Sequence, residues 1–592
     1  MTKRIAIVHK ERCNPQGCGG YLCMKVCPSN RMGLKCKEID IDGKIKINEE
    51  LCTSGCSICA QKCPFDAIKM INLPEKLTDQ PIHRYGQNKF VLYNLPTPRF
   101  GMILGLVGRN GMGKSTAVKI LARTIQPNLG KYEDTAGVSF SKILDYFKGS
   151  EAQTFFQQLH DGKIRTVYKP QHVDSLRTTT GTVREVLKKV DQRNSFEETV
   201  KLLDLHSIID SDITTLSGGE LQRVAIAMTA LKKAELYIFD EPTSYLDIKQ
   251  RLNMAYYLTT LVNEKNAVMV VEHDLVILDY LTDLINILYG EEGGYGIVSH
   301  PKNSKEGINQ YLEGYMPDEN MRFRDHSITF DIKPPATQHK TPELATWDNI
   351  TKELGQFKLH AHGGTLHKQE VIGVLGENGT GKTTFINILA GIMPQDSGVI
   401  QSTNMTSSTM KIAHKPQYIE ATDEIVMTLL GPNFQKYQSQ IRRLNIQQLM
   451  LRKLSELSGG ELQRVMIAAT LCKEADLYLF DEPSAYLDSE QRIEAAKTIK
   501  EAMNQREKTA VVVDHDLLFV DYLSDKIIVL QGTPGRTGTV HGPYEMEEGM
   551  NKFLSSVGIT LRRDPHSKRP RMNKKDSQLD KDQKAKGKYY YG

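Results

Sequence analysis

Two stretches of this 592-residue chain have the make-up of a phosphate cradle. Gly108-Arg-Asn110-Gly111-Met-Gly113-Lys114-Ser115 and Gly376-Glu-Asn378-Gly379-Thr-Gly381-Lys382-Thr383 both fit the pattern G-x-x-x-x-G-K-[ST]. In such a loop the backbone N–H groups close around phosphate oxygens, the lysine reaches the β- and γ-phosphates, and the hydroxyl binds Mg2+. Each loop follows an apolar run, 102–107 or 371–375, that reads as the strand this motif needs. Downstream of each, the octapeptide Leu-Ser-Gly-Gly-Glu-Leu-Gln-Arg occurs letter for letter, at 216–223 and 457–464. A Ser-Gly-Gly turn opening a helix is a second anion site, because free N–H groups and the helix dipole both favour negative charge. Next come the carboxylate pairs Asp240-Glu241 and Asp481-Glu482, each at the end of an apolar strand. The Asp suits the Mg2+ side and the Glu suits a water to be polarised. Ser244-Tyr-Leu-Asp247 and Ala485-Tyr-Leu-Asp488 follow, then His273 and His515, each after a Val-rich strand. Gln171 and Gln417 stand in Lys-Pro-Gln between the first and second motifs.

The second chemistry is thiolate. Nine of the ten cysteines fall between Cys13 and Cys63. They form two ladders, Cys13-x4-Cys18-x4-Cys23-x3-Cys27-Pro28 and Cys52-x3-Cys56-x2-Cys59-x3-Cys63-Pro64. The closing x3-Cys-Pro is that of the bacterial ferredoxin run, in which the fourth cysteine ligates the other cluster. This gives two [4Fe–4S] clusters, one on Cys13, Cys18, Cys23 and Cys63, the other on Cys52, Cys56, Cys59 and Cys27. A zinc ribbon, which prefers paired C-x2-C knuckles, and disulfides, which need an oxidising compartment, are the competing readings. The gaps around Cys18 and between Cys52 and Cys56 are wider than in the plain run, which leaves the cluster geometry open. Cys36 is left over and reads as a buried thiol; Cys472 reads as packing.

The ordered motif set, present twice, resembles the nucleotide-binding domain of ABC-type ATPases. That resemblance implies a head-to-tail pair in which each ATP is held by one half and covered by the other. Site one would join Lys114, Ser115, Gln171, Asp240, Glu241 and His273 to Ser458 and Gly460. Site two would join Lys382, Thr383, Gln417, Asp481, Glu482 and His515 to Ser217 and Gly219. Glu241, Glu482, His273, His515, Gln171 and Gln417 are the implied catalytic set. Ser115, Thr383, Gln171, Gln417, Asp240 and Asp481 are the implied Mg2+ ligands, and Thr116 and Thr384 complete the phosphate loops. Tyr85, Phe90 and Phe357 are candidates to stack on adenine. Two ferredoxin-type ladders ahead of two such halves is similar to the ABC subfamily E ATPases, the ribosome-recycling and RNase L inhibitor family of archaea and eukaryotes. Asn72-Leu-Pro74, His83-Arg-Tyr85, Arg322-Phe-Arg324 and Arg562-Arg-Asp-Pro565 belong to the same resemblance.

The elements that must carry these residues follow from the pattern, and the head-to-tail arrangement and the two hinges from what the resemblance implies. The expected fold is α/β, two P-loop domains head to tail behind a ferredoxin-like α+β domain. The expected spans are 1–76 for the cysteine domain, 77–318 and 344–545 for the two halves, 319–343 for a hinge around Lys333-Pro-Pro335, and 546–592 for a second hinge and basic tail. The first half is longer by 27 residues, 22 of them before Gln171. There 141–160 reads as two short amphipathic helices around Lys148-Gly-Ser150, which the family resemblance makes a ribosome contact. Net charge is +5, but the stretch from Arg562 onward carries eleven Lys/Arg against four Asp/Glu. By composition this tail could be a disordered arm for RNA phosphates, but the family resemblance implies that it is structured through about Arg571 and flexible beyond. No run of about 18 apolar residues and no signal peptide is visible, so no membrane span is expected.

The leading expectation is a cytoplasmic, monomeric, Mg2+-dependent ATP hydrolase that splits ribosomes after termination or rescue, acting with a release factor and staying chiefly on the small subunit. The rivals are an iron–sulfur ATPase coupled to electron transfer, a nucleic-acid-processing ABC ATPase, and the ATPase subunit of a transporter.

Overall fold

A computed structural model describes residues 4–53, 55–73, 80–133, 138–149, 151–330, 341–402 and 410–590. The apolar runs before each phosphate loop become the central strands of two large sheets. In the first, Ile103–Gly108 lies between Leu284–Glu291 and Ala267–Val271, and the order continues through Leu236–Asp240 to Thr166–Lys169, all parallel. The second repeats this with Val371–Gly376 between Lys526–Gln531 and Thr509–Val513, followed by Leu477–Asp481 and Ile412–Lys415. These central strands are buried on both faces, which is why they read as unbroken apolar runs rather than alternating ones. A parallel arrangement brings the carboxyl ends of all these strands to one edge. The phosphate loop, the Asp-Glu pair and the histidine of each half therefore emerge side by side.

The cysteine domain is small. Arg4–Val8 pairs antiparallel with Ile68–Asn72, and Lys37–Ile39 with Ile45–Ile47. Three one-turn helices, Leu22–Lys25, Pro28–Arg31 and Ile58–Gln61, hold Cys23, Pro28 and Cys59. The domain docks on the first half through Asn88, whose side chain donates to Ala6 O (3.0 Å) and accepts from Ile47 N (2.8 Å), and through Arg84 on Glu49 (2.7 Å). The expected boundary near 76 lies outside the described residues, as do Pro74 and the 331–340 stretch with Lys333-Pro-Pro335.

The first-half insertion is two helices, Phe140–Tyr146 and Glu151–His160; Ser150 between them is outside the described residues. Phe140 stacks on His160 and Phe147 on Phe156, so the hairpin is closed by its own aromatic rings. Ile143, Phe147 and Phe155 bury the inner face, which leaves Lys142 and Lys148 exposed.

Two expectations need correcting at the C-terminus. The helix Met546–Val557 buries Met550, Phe553 and Leu554, and Gly549 sits directly on Ile527 of the second sheet. The body of the second half therefore continues beyond 545. The chain after Arg571 is not flexible either. Gln578–Ala585 is a helix, and Tyr590 is buried with its hydroxyl on Asp521. The charge count missed this because the cations of the tail are consumed internally. Arg569 and Arg571 both bind Asp279, at 3.1 and 2.6 Å, and Arg563 binds Asp521 at 2.8 Å.

Candidate functional site

Each phosphate loop is pre-formed. Lys114 Nζ donates to Gly108 O (2.7 Å) and Arg109 O (2.8 Å), and Lys382 Nζ to Gly376 O (3.1 Å) and Glu377 O (2.8 Å). Burial depresses both lysine pKa values. Ser115, Thr116, Thr383 and Thr384 lie in the first turn of the helices Lys114–Leu121 and Lys382–Leu389. Gly113 and Gly381 cap these helices with φ of 91° and 92°, and a Cβ on either would strike the ring of Phe90 or Phe357 at 2.7 Å. The two phenyl rings are thus wedged beneath the loops. Tyr85 is exposed, with its hydroxyl 3.1 Å from Thr116 Oγ1.

The carboxylates face these loops. Gln171 Nε2 donates to Glu241 Oε1 at 2.8 Å, and Gln417 Nε2 to Glu482 Oε1 at 2.8 Å. His273 Nε2 is 3.6 Å from Glu241 Oε1, and His515 Nε2 is 3.5 Å from Glu482 Oε1. Both glutamates have positive φ, 45° and 47°, a conformation rare for a side chain with a Cβ and typical of residues aimed by a site. Burial, reinforced by neighbouring Asp240, raises Glu241. Burial also works against Glu482, but His515 and Lys382 outweigh it and hold the carboxyl at about 2. The difference has a local cause. His273 is kept well below the usual imidazole range by burial, Lys114 and Arg492, so it offers Glu241 no charge. Both carboxylate oxygens of Asp481 are buried without a hydrogen-bond partner, and burial together with Glu482 pushes the group up to about 6. A buried orphaned carboxylate beside a phosphate loop fits a divalent cation.

The halves meet at these sites. Asn110 N donates to Asp488 Oδ2 (3.1 Å), and Asn378 N donates to Asp247 Oδ2 (2.8 Å). Each aspartate also caps its own helix, accepting from Gln491 N or Gln250 N at 2.9 Å. Arg109 pairs with Glu490, and Lys249 with Glu377 at 3.1 Å. The two junctions thus carry the same pair with its polarity reversed. Glu490 also takes Arg324, whose guanidinium is buried, at 3.3 Å. Ser489 Oγ donates to His273 O across the junction at 2.7 Å. Ser217 and Ser458 cap the helices Gly218–Ala230 and Gly459–Leu471 in capping boxes with Glu220 and Glu461. Gly219 and Gly460 lie so close to Tyr245 O and Tyr486 O that a Cβ would come within 2.9 Å. Each Ser-Gly-Gly turn therefore packs on the segment that bears the bridging aspartate.

In the N-terminal domain Cys13, Cys18, Cys23 and Cys63 line one apolar pocket with Tyr21, Ile45 and Phe65. Cys27, Cys52, Cys56 and Cys59 form a second group, which borders the first where Cys59 meets Cys23. Cys59 feels Cys52 and Cys56 as like charges, and Lys37 Nζ lies 3.2 Å from Cys27 Sγ. Among the described residues no three His, Cys, Asp or Glu side chains close on a single metal ion. Four sulfurs that do not close on one point fit a cubane better than a lone ion, since a cubane holds its thiolates on four separate irons. Cys36 is fully buried among them, and Cys472 is buried in the core of the second half.

Residues 97–244 and 359–485 match the ABC transporter family model, and residues 4–35 match a possible Fer4-like domain in RNase L inhibitor. The ABC transporter E family member 1 of Arabidopsis thaliana is 45% identical over 99% of this chain and 98% of its own length. This chain belongs to the ABC transporter E family. A solved structure of ribosome-bound archaeal Pelota and ABCE1 superposes with a TM-score of 0.92, at 49% identity over all of both chains. The complex of the archaeal ribosomal stalk protein aP1 with the archaeal ribosome recycling factor aABCE1 gives 0.81, at 48% identity over 87% of this chain and 99% of that one. As an E-family member the chain is an ATPase with two ABC nucleotide-binding domains and an iron–sulfur domain of the Fer4 kind. No helix among the described residues is long and apolar enough to cross a membrane.

Some residues at these E-family sites had no role assigned from sequence. Asp247 and Asp488 stand in a repeated Tyr-Leu-Asp, and that repetition was the available signal. Lys169 and Lys415 are fully buried, donate to Asp240 O (3.0 Å) and Asp481 O (2.8 Å), and are pushed down to about 8 by burial. They fix the strand ends that carry the carboxylate pairs, and the shared Lys-Pro-Gln marked them. Nothing in the sequence showed that Glu490 collects both Arg109 and Arg324.

Proposed function

We propose that this chain is a cytoplasmic ribosome recycling factor, in which ATP bound between the halves clamps them and the clamping drives the subunits of the ribosome apart. The observation that carries this is the reciprocal bridge, Asn110 to Asp488 and Asn378 to Asp247, which sets each phosphate loop against the opposite half. Ser458 and Gly460 then cover the nucleotide on Lys114, and Ser217 and Gly219 cover the one on Lys382. Ser115, Gln171 and Asp240, or Thr383, Gln417 and Asp481, would hold Mg2+, which would neutralise charge on the phosphates. Glu241 and Glu482 orient and polarise the attacking water, Gln171 and Gln417 hold those glutamates in place, and His273 and His515 face the γ-phosphate. Water attacks the γ-phosphorus, the bond to the β-phosphate oxygen breaks, and ADP and phosphate leave. Tyr85, Phe90 and Phe357 are the candidates to stack on adenine.

A ligand moves an equilibrium only by its differential affinity for the two states. Nucleotide contacted from both sides has that property, because half of its contacts exist only on closure. The cysteine domain, which already touches the second half through Arg12 and Glu461 at 4.0 Å, is the arm such closure would displace. It holds two [4Fe–4S] clusters, one on Cys13, Cys18, Cys23 and Cys63, the other on Cys27, Cys52, Cys56 and Cys59, as structural elements. A Pelota-class rescue factor and the small subunit are the partners, the latter meeting the exposed lysines of the 140–160 hairpin.

Sucrose-gradient analysis of ribosomes with ATP, a rescue factor and this monomeric chain tests the reading. Free subunits are expected with the wild type, and intact ribosomes without nucleotide. Ribosomes that stay intact under every nucleotide condition would refute recycling.

A further inference from the structure

Lys37 is the odd residue of the cysteine domain. It opens the strand Lys37–Ile39, is 2% exposed, and places Nζ 3.2 Å from Cys27 Sγ. A buried ammonium is costly unless an opposite charge lies beside it. Among the described residues Lys37 has no carboxylate partner, and its charged neighbours are the sulfurs of Cys59, Cys36 and Cys27. The other pocket, around Cys13, Cys18, Cys23 and Cys63, is lined by apolar and neutral side chains only. Lys37 also acts through space on Cys23 of that pocket, but it donates directly to a sulfur only in the group of Cys27, so the two groups of cysteines sit in different fields.

We propose that Lys37 is a built-in counterion that makes the cluster on Cys27, Cys52, Cys56 and Cys59 the more easily reduced of the two. This rests on the two-cluster reading given above. Reduction adds one electron from an external reductant such as dithionite and leaves every Fe–S bond in place. The cluster becomes more negative, so a fixed positive charge beside a ligand sulfur stabilises the reduced form more than the oxidised one. An N–H···S hydrogen bond to the same sulfur acts in the same direction. In the other pocket Cys63 accepts a backbone N–H from Ala67 at 3.4 Å and Lys44 donates to the Cys13 carbonyl at 2.6 Å, but among the described residues no ammonium donates to a sulfur, and reduction is harder there.

The test is an EPR-monitored redox titration of the full-length chain purified without oxygen, with iron and acid-labile sulfide counted on the same sample. The count should be about eight of each per chain for two [4Fe–4S] clusters; about four would refute the two-cluster reading itself. With two clusters present, two separate reduction waves are expected. Lys37→Met should move the higher wave to lower potential and leave the lower one in place, and Lys37→Arg should keep both. A single wave in the wild type, or two waves unmoved by Lys37→Met, would overturn the proposal. If Lys37→Met fails to assemble one cluster, Cys18→Ser decides: it should perturb the lower wave, and perturbation of the higher one would overturn the assignment.

Discussion

Glu241 and Glu482 hold the same place in their two halves, yet they meet different charges. The raised pKa of Glu241 means that acidification protonates it first, whereas Glu482, held at about 2, stays ionised. A base works only as the carboxylate, so each site loses turnover as pH falls through its own glutamate's pKa. The Glu482→Gln variant, which leaves site one active, should therefore lose ATPase at a higher pH than Glu241→Gln, which leaves site two active. Coincident acid limbs in the two pH–rate profiles would contradict this. Asp488 does two jobs with two oxygens, capping its own helix and holding Asn110 N of the opposite half. Asp488→Ala should cost about 1 kcal/mol through the cap alone. Asp488→Asn keeps an accepting oxygen for the cap but offers an amide to Asn110, so thermal unfolding should barely change while site-one turnover falls. These residues also show how much of the site was readable. The phosphate loops, glutamates and histidines stood in linear motifs. The bridging roles of Asp247 and Asp488 did not, because a contact between residues more than 100 positions apart leaves no local pattern.

At the scale of elements, the two junctions are matched but opposite in charge. Arg109 of the first phosphate loop meets Glu490, whereas Glu377 of the second meets Lys249. Lys249 is half-exposed, so its pair is weak, on the order of 0.5–1 kcal/mol. Lys249→Glu or Glu377→Lys alone should slow ATP turnover roughly two- to five-fold, at 1.4 kcal/mol per tenfold, and the double exchange should restore it. A double exchange no better than either single change would remove the pair from the coupling. Glu490 is a different case, since it neutralises the buried Arg324 as well as Arg109. Glu490→Ala strands a buried cation and should destabilise the fold by about 3 kcal/mol, read from denaturant unfolding. The central strands were legible because burial on both faces writes an unbroken apolar run, and the 140–160 hairpin because burial on one face writes a periodic pattern. The C-terminal elements were not, since their cohesion comes from Arg–Asp pairs that look like solvent-facing charge in a linear sequence.

At the scale of the molecule, the C-terminal segment ties the halves together outside the nucleotide sites. Arg569 and Arg571 hold Asp279 of the first half, and Arg563 holds Asp521, its counterpart in the second. Removing residues 559–592 should leave nucleotide binding by each phosphate loop intact but weaken ATPase stimulation by ribosomes, because closure would no longer be guided from the far side. Full stimulation in the truncated chain would show that the segment plays no part in coupling.

The central claim is that each nucleotide is completed by the half that does not bind it. Single-turnover hydrolysis in the Glu482→Gln background isolates site one. There Ser458→Arg, on the second half, should abolish turnover, whereas Ser217→Arg should spare it. Loss of turnover with Ser217→Arg and survival with Ser458→Arg would contradict the account.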